Sequence, residues 1–366
     1  MKTILIIIIA LHGLIHLMGF TKAFGLAEIK ELNLPISKPF GLAWLVAFAL
    51  FTCGAILYFL KPNQWFWWAF SGVSISQVLI FFFWQDAKFG TIANAIILVA
   101  ATMSYGSWSF EKKYHKDVNK SLAHHIDLTT KTISEKDLLH LPPPVKRYLK
   151  LVGVVGKPVI NNVKIVFTGE MREKGKDWFT FTSEQHNFFE KPKRFFFMKA
   201  NIKGLPTNGY HYYNKEETGM MVKILSLFPV VDLKGNDLFK AETVTFLNDL
   251  CLFSPGALID KRINWKALDD FSAQVYFNNH GVQISAVLYF NKKGELINFI
   301  SDDRTALIEG KLKSYRFSTP LGKYNNYNGY YLPSYGEAVW HFPEGEFAYG
   351  KFNLKNIAYN ISENQL

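Results

Sequence analysis

Residues 3–24 of the 366-residue chain read TILIIIIALHGLIHLMGFTKAF. An α-helix needs about 20 apolar residues to cross about 30 Å of hydrocarbon, and this stretch has that length. The lysine in front of it is also typical of a signal peptide, but the apolar character continues to Phe24 and no small-x-small cleavage site follows. The stretch therefore predicts an uncleaved membrane-spanning helix.

Three further apolar stretches of similar length cover residues 40–60, 65–84 and 91–108. The connections between them are short and contain helix breakers, among them Lys61-Pro62-Asn63, so neighbouring helices are expected to be antiparallel. Tryptophans lie near the expected span ends, as in the aromatic belts of membrane interfaces: Trp65, Trp67, Trp68, Trp84 and Trp108. Residues 1–110 are thus predicted to form a four-span transmembrane domain.

Most of the net charge of +11 lies in residues 111–366, because residues 1–110 hold only six basic and three acidic side chains. Nucleic acid is excluded as a partner, since the lysines are dispersed and no recognised binding motif occurs. Lys112, Lys113 and Lys116 directly follow the fourth span, where anionic headgroups attract basic residues. The expected partner is membrane lipid, with a protein partner as a further alternative.

Basic residues near the spans favour one orientation of the soluble part. An even number of spans places both ends of the membrane domain on the same side of the membrane. Six lysines lie on that side and four on the other. The positive-inside rule then places the soluble domain in the cytoplasm. Two widely separated cysteines, Cys53 and Cys251, fit a reducing compartment.

Polar residues inside the spans are candidate ligand-binding residues. His12 and His16 are four apart and share a helix face, and the antiparallel arrangement brings three more polar side chains to the same end of the bundle. These three are Gln77, Asp86 and Asn94. They could bind a quinone-like headgroup or a metal, or carry protons, but two histidines without a third ligand make a poor metal site, so metal and cofactor stay unknown. The alternative is interhelical hydrogen bonding.

The second half of the chain predicts an α+β fold. Residues 111–133 are polar and lack clear apolar periodicity, so they are expected to form a linker or a loosely held amphipathic helix. Residues 134–366 are expected to form a soluble β-rich domain, which begins with a short helix over 135–141 and a second helix opened by Pro142-Pro143-Pro144 and ended by Gly153.

Alternating aromatic and β-branched runs then predict a largely antiparallel sheet. The expected strands cover residues 163–171, 178–186, 194–202, 220–225, 273–278, 283–290, 296–301 and 339–342. One apolar stripe at helical spacing, over residues 242–253, predicts a helix that covers one face of the sheet.

Several ordered motifs carry a resemblance to a known family. They are LPPPVKRYL at 141–149, VGVVGKP at 152–158, FLNDLCLFSPGAL at 246–258 with Trp265 and Asp269-Asp270, and PSYGEAVWH at 333–341 before Ile357-Ala-Tyr359. Residues 141–359 resemble a bacterial family of membrane proteins with a β-rich domain of unknown function, and residues 1–110 resemble DoxX-like four-helix bundles. The resemblance implies a bacterial inner-membrane protein and no particular reaction. Asp249 stands where that family is expected to have a glutamate.

No strong catalytic signature occurs, because phosphate loops, H-E-x-x-H, C-x-x-C and G-x-S-x-G are all missing from the sequence. Glu184 and His186 alternate on one predicted strand face, but surface pairing explains them equally well, so no residue is assigned as catalytic. Three residues of the soluble domain are candidate ligand contacts: Trp265, Arg304 and Trp340.

The leading hypothesis is a membrane-anchored, non-catalytic protein. Its aromatic-rich sheet, in a chain with 33 Phe and 17 Tyr, would form an open cavity for a lipid or another apolar ligand. The alternatives are a membrane-bound enzyme or redox protein that acts on a quinone-like substrate through the bundle histidines, and a membrane assembly subunit. Whether the protein is an enzyme stays open at this point.

Overall fold

The computed structural model describes residues 2–60, 63–123, 131–308 and 311–363. The chain divides into two units, Met1–Phe110 and Glu111–Leu366. Helices make up the first unit, and a large antiparallel sheet with a few helices makes up the second. The predicted α+β fold is therefore confirmed.

Four long helices form the first unit: α1 (Lys2–Ala23), α2 (Lys38–Leu60), α3 (Trp65–Phe82) and α5 (Gly90–Leu122), with a single turn, α4 (Trp84–Ala87), between the last two. All four are long and apolar enough to cross a membrane, which confirms the four predicted apolar helices. The predicted turn at residues 61–62 lies outside the described residues.

The bundle helices approach closely where one of them has a glycine. A Cβ built on Gly19 of α1 would lie 2.2 Å from the Trp44 ring of α2, so only glycine fits there. Outward from the bundle, large apolar side chains such as Ile7, Leu11 and Phe81 are more than half exposed. A helix surface of this kind is stable when hydrocarbon solvates it.

Helix α5 continues beyond its apolar part to Leu122. Residues 111–122, expected to be a linker or a loosely held helix, are thus ordered as helix, with Tyr114, Val118 and Leu122 buried at helical spacing. Residues 124–130 of the expected linker lie outside the described part of the chain.

The second unit opens with a 3₁₀ turn (Glu135–Leu138) and helix α6 (Pro143–Val152). A proline occupies the first turn of α6, and Gly153 ends the helix at a φ of 83°, a left-handed conformation that glycine adopts without strain. Both ends of this helix agree with the sequence-based prediction.

Thirteen strands form one sheet. In chain order they are β1 (Asn162–Met171), β2 (Phe179–Phe188), β3 (Lys193–Ile202), β4 (Leu205–Tyr213), β5 (Thr218–Ile224), β6 (Phe228–Lys234), β7 (Ile263–Asp269), β8 (Ser272–Asn279), β9 (Val282–Phe290), β10 (Leu296–Ser301), β13 (Arg316–Tyr327), β14 (Tyr330–Phe342) and β15 (Gly345–Tyr359). Their spatial order is β6-β5-β4-β3-β2-β1-β15-β14-β13-β10-β9-β8-β7. A separate hairpin contains β11 (Thr305–Ile308) and β12 (Lys311–Ser314).

Helix α7 (Asn236–Phe253) covers the sheet face that we call the inner face. Buried apolar side chains of the sheet alternate toward this face, and Val244, Leu247, Leu250 and Cys251 of α7 join the same core. A second 3₁₀ turn (Pro255–Ile259) follows α7. Residues 111–122 contact the opposite face, which we call the outer face, because Tyr114 packs against Phe197 and Tyr210 there.

Candidate functional site

A cluster of polar side chains lies inside the helical unit. His12 Nε2 donates to Asn94 Oδ1 at 2.9 Å, and His16 Nδ1 donates to the backbone oxygen of His12 at 2.8 Å. Ser76, fully buried on α3, has its Oγ 2.9 Å from His16 Nε2. The structure thus brings together both histidines and Asn94, and Asn94 also bonds Gln77, so four of the five candidates in this unit meet.

The hydrogen bonds of this cluster form a closed set. Because the backbone oxygen only accepts, His16 carries its proton on Nδ1, and its Nε2 accepts from the Ser76 hydroxyl. Ser76 Oγ in turn accepts from Asn94 Nδ2 at 3.0 Å, which also donates to Gln77 Oε1 at 3.1 Å. Both nitrogens of His16 are therefore engaged, and a metal could bind His16 only if one of these bonds broke.

Asp86 does not join the histidine cluster. Its carboxylate accepts from the backbone N–H groups of Asn33 and Leu34, at 2.7 and 2.9 Å. These residues belong to the connection between α1 and α2, so Asp86 fixes that connection. Among the described residues, no group of three or more His, Cys, Asp or Glu side chains is placed to hold a metal ion.

The candidate residues of the sheet lie in two places. The Arg304 guanidinium stacks 3.9 Å from the Phe317 ring centroid and 5.2 Å from that of Trp340, so the structure brings Arg304 and Trp340 together. Trp265 lies on β7, the edge strand, five strands away from β14. Its indole nitrogen is buried without a hydrogen-bond partner among the described residues.

A buried ion cluster, not predicted from the sequence, holds α7 on the inner face. Arg194 of β3 donates through Nε to Asp249 at 2.8 Å and through Nη1 to Glu242 at 3.2 Å, and both carboxylates belong to α7. Gln185 and Asn187 of β2 donate to the same Asp249 oxygen, at 2.7 and 3.1 Å. The carboxylates are seven residues apart, two helical turns, and therefore share a face of α7.

The surroundings favour the charged forms of Glu242 and Arg194. Burial acts to raise the pKa of Glu242, but the contacts with His211 and Arg194 outweigh it and lower the pKa to about 2. Burial acts against the charge of Arg194 as well, yet Asp249 and Glu242 raise its pKa above the usual value. Arg194 thus lies between the carboxyl groups of Glu242 and Asp249, and all three side chains have low exposure.

Glu184 and His186, which alternate on β2, both contact Tyr114 on the outer face. The Tyr114 hydroxyl lies 2.6 Å from His186 Nδ1 and donates to Glu184 at 3.2 Å. Burial lowers the pKa of His186 to about 4, so this histidine is neutral at physiological pH. Tyr114 and His186 are both about 1% exposed, which leaves a substrate no access to this pair.

Side chains fill the inner face. A crevice between α7 and the sheet, lined by Phe246, Leu250 and Phe277 among others, encloses about 10 Å³, which is room for about one water molecule. On this face α7 lies on the sheet and the aromatic rings pack into the core. The open cavity expected from the sequence stays a prediction for the rest of the sheet.

The outer face carries a cavity of about 640 Å³ that is widely open to solvent. It lies where β1, β2, β3, β14 and β15 run side by side, with the Tyr335 ring in its lining. Its polar lining includes Thr168, Thr180, Thr182, Asn201 and Asn353. Sequence reasoning missed the cavity because β15 was not predicted, although threonines on alternate positions of a strand signal a polar face.

The fold and the cavity define a helical membrane unit joined to a large antiparallel sheet with a ligand-sized opening. The chain belongs to a family of unknown function, DUF6544, which matches residues 131–352. This confirms the resemblance to an uncharacterised family. No curated protein matches the chain.

Two solved structures overlap the chain at low similarity. A putative outer membrane lipoprotein-sorting protein domain from Vibrio parahaemolyticus is 11% identical, with a TM-score of 0.29, over 56% of this chain and 88% of its own. A LolA superfamily protein from Nitrosomonas europaea is 7% identical, with a TM-score of 0.33, over 61% and 94%. Similarity at this level does not indicate what this chain binds.

The closed network predicts a specific effect of Ser76→Ala. Because the variant leaves His16 and Asn94 with unpaired buried groups, we expect the free energy of unfolding to fall by about 1–2 kcal/mol. Thermal unfolding of the full chain in detergent measures this. The control is Ser74→Ala on the same helix, whose exposed hydroxyl bonds only the Phe70 backbone. Equal shifts in the two variants would contradict the network.

The ion cluster predicts a large effect of Arg194→Met. The variant leaves Glu242 and Asp249 buried without their cation, and we expect a loss of about 3–5 kcal/mol in the free energy of unfolding. Arg316→Met is the matched control, since Arg316 pairs with Asp302 in an exposed ion pair typically worth about 0–1 kcal/mol. Denaturant titrations would show the two variants alike if the cluster did not hold α7.

Proposed function

We propose that the protein is a membrane-anchored binding protein whose sheet unit holds a lipid or a similar amphiphile in the outer-face cavity. The observation that carries this proposal is the size and lining of that cavity. Its volume of about 640 Å³ falls within the range of about 300–1,000 Å³ typical of small-molecule sites. The inner face offers only about 10 Å³ while α7 lies on it.

The lining favours a ligand that has an oxygen-rich polar group. The side chains of Thr168, Thr180, Thr182, Asn201 and Asn353 make no hydrogen bond to other residues within the described part of the chain. Hydroxyl and amide groups donate and accept, so together they can bind phosphate, carboxylate or glycerol oxygens.

Two lysines and one glutamate, Glu170, are the charged residues of the lining, and one ring adds an apolar contact. Lys199 is paired with Glu111 at 2.7 Å, whereas Lys351 lies 4.4 Å from the Trp178 ring centroid. The partly buried ring of Tyr335 supplies an apolar contact in the lining. A polar headgroup with the first carbons of an acyl chain matches this combination better than a fully apolar molecule.

The membrane unit supports the same proposal, because it keeps the sheet unit beside a supply of lipid. Four candidate spans anchor the chain. The family resemblance leads us to place the protein in a bacterial inner membrane. We place the sheet unit in the cytoplasm, because more lysines lie on the membrane side that holds both ends of the helical unit.

A second candidate function is redox chemistry or catalysis on a quinone-like substrate in the bundle. The convergence of His12, His16 and Asn94 favours it. Purified full-length chain and the His12→Ala variant would then differ in bound metal or in an absorption spectrum. The closed hydrogen bonds of His16 favour the structural alternative, so this function ranks second.

The cavity predicts where a lipid can be cross-linked. We expect a phospholipid that carries a photoactivatable group in its headgroup to label peptides from residues 168–182 when full-length protein is embedded in lipid nanodiscs. Thr182→Trp fills the cavity and is expected to abolish most of this labelling. Mass spectrometry of the digested protein measures the labelled positions.

The control for this experiment is Asn264→Trp, which adds the same ring at an exposed position of edge strand β7. It is expected to leave the labelling of residues 168–182 unchanged, and labelling of the four spans serves as an internal standard in all samples. Cavity labelling that survives Thr182→Trp, or that never exceeds labelling of β7, would refute the proposed site.

A further inference from the structure

Charged side chains of the outer face lie in one row across three strands, which we call the charged row. Glu170 of β1 is directly opposite Lys351 of β15, and Lys351 is in turn directly opposite Glu337 of β14. Opposite residues of antiparallel strands share a sheet face and have Cβ atoms about 4.5–5.5 Å apart. The charged row therefore places one cation between two carboxylates.

A second row, two residues further along each strand, carries neutral polar groups, and we call it the neutral row. Its members are opposite one another on β2, β1, β15 and β14: Thr182, Thr168, Asn353 and Tyr335. Successive rows on one face of a sheet are about 7 Å apart. All members of the neutral row line the cavity, as do Glu170 and Lys351 of the charged row. The cavity thus presents charged groups beside hydroxyl and amide groups.

The Glu170 carboxylate is available to a ligand. Glu337 accepts a hydrogen bond from the Tyr335 hydroxyl at 2.5 Å. The Lys351 ammonium lies over the Trp178 ring, 4.4 Å from its centroid. Within the described part of the chain, neither Lys351 nor Glu170 forms an ion pair, and the Glu170 carboxylate accepts no hydrogen bond.

A carboxylate beside an aromatic ring matches an ammonium group. Burial, the bonded Glu337 and, less strongly, Glu170 raise the pKa of Tyr335 to about 12, so the charge of Glu170 acts on this ring. An ammonium group binds a carboxylate through charge-assisted hydrogen bonds and the face of an aromatic ring through a cation–π contact. Glu170 and Tyr335 can supply both interactions from adjacent rows.

The other charges of the lining disfavour a headgroup that is only anionic. Lys199 pairs with Glu111 at 2.7 Å, so Lys351 is the lining cation left for a ligand phosphate among the described residues. A headgroup that carries phosphate alone would place an anion beside Glu170. A headgroup that carries both phosphate and ammonium complements Lys351 and Glu170 at once.

We propose that the outer-face cavity selects a zwitterionic headgroup, in which Glu170 binds the ammonium group and Lys351 with the neutral row binds the phosphate. This inference rests on the proposed function and adds to it the chemical class of the headgroup. Hydroxyl and amide groups of the neutral row donate hydrogen bonds to phosphate oxygens, and the lysine supplies the positive charge.

Photo-cross-linking with two matched phospholipids tests this selection. Full-length protein is embedded in nanodiscs of phosphatidylglycerol, whose headgroup carries no amine. Trace phosphatidylethanolamine or phosphatidylglycerol is added, each with the same photoactivatable group in the acyl chain next to the glycerol. We expect the ethanolamine probe to label residues 168–182 about two- to five-fold more than the glycerol probe, which is the preference that one exposed ion pair provides.

Glu170→Gln removes the charge with little change of shape, and we expect the two probes to label this variant equally. The matched control is Glu173→Gln, which removes an exposed carboxylate in the turn after β1, outside the cavity lining. It changes the net charge by the same amount and is expected to keep the preference for the ethanolamine probe.

Equal labelling of the unsubstituted protein by the two probes overturns this inference, as does a preference that survives Glu170→Gln. The Thr182→Trp variant shows which proposal has failed. If both probes label equally and this variant removes the labelling, the cavity binds lipid without selecting the headgroup. If neither probe labels residues 168–182 above the level of β7, the proposed function fails together with the inference.

Discussion

The solvation of the apolar surface on α1, α2, α3 and α5 is the constraint on which the rest of the structure depends. These helices satisfy their backbone hydrogen bonds internally, as any segment in hydrocarbon must, and they turn large apolar side chains such as Ile7, Leu11 and Phe81 outward. In water that surface would be strongly unfavourable. In a bilayer, the lipid hydrocarbon solvates that surface. Inside the bundle, buried polar side chains form hydrogen bonds with one another: His12, His16, Ser76 and Asn94.

The second unit is organised by the alternation of side chains along its strands. On β2, Glu184 and His186 point to the outer face and meet Tyr114, while Gln185 and Asn187 point to the inner face and meet Asp249. One strand therefore holds residues 111–122 on one face of the sheet and α7 on the other. The inner face is closed by the core and the ion cluster, so the space for a ligand lies on the outer face.

The sequence predicts those features that depend on local patterns. Hydropathy identifies the four apolar helices, and Pro142-Pro143-Pro144 with Gly153 identifies α6. Strands β4, β13 and β15 are missed because they are rich in Tyr, Asn, Gly and Lys. Strand β15 also pairs with β1 across almost 200 residues of sequence, for example Val163 with Tyr359. Helical spacing also groups His12 with His16. The Arg194 cluster joins residues 48 and 55 positions apart, for which no local pattern exists.

An anchored sheet unit with a ligand-sized opening is the simplest account of these features, and it requires that the apolar parts of α1, α2, α3 and α5 lie in hydrocarbon. Alkaline carbonate extraction of membranes from cells that express the full-length chain tests this requirement most directly. The account predicts that the protein stays in the membrane pellet and is released only by detergent. Release into the supernatant, as a soluble or peripheral protein, would contradict it.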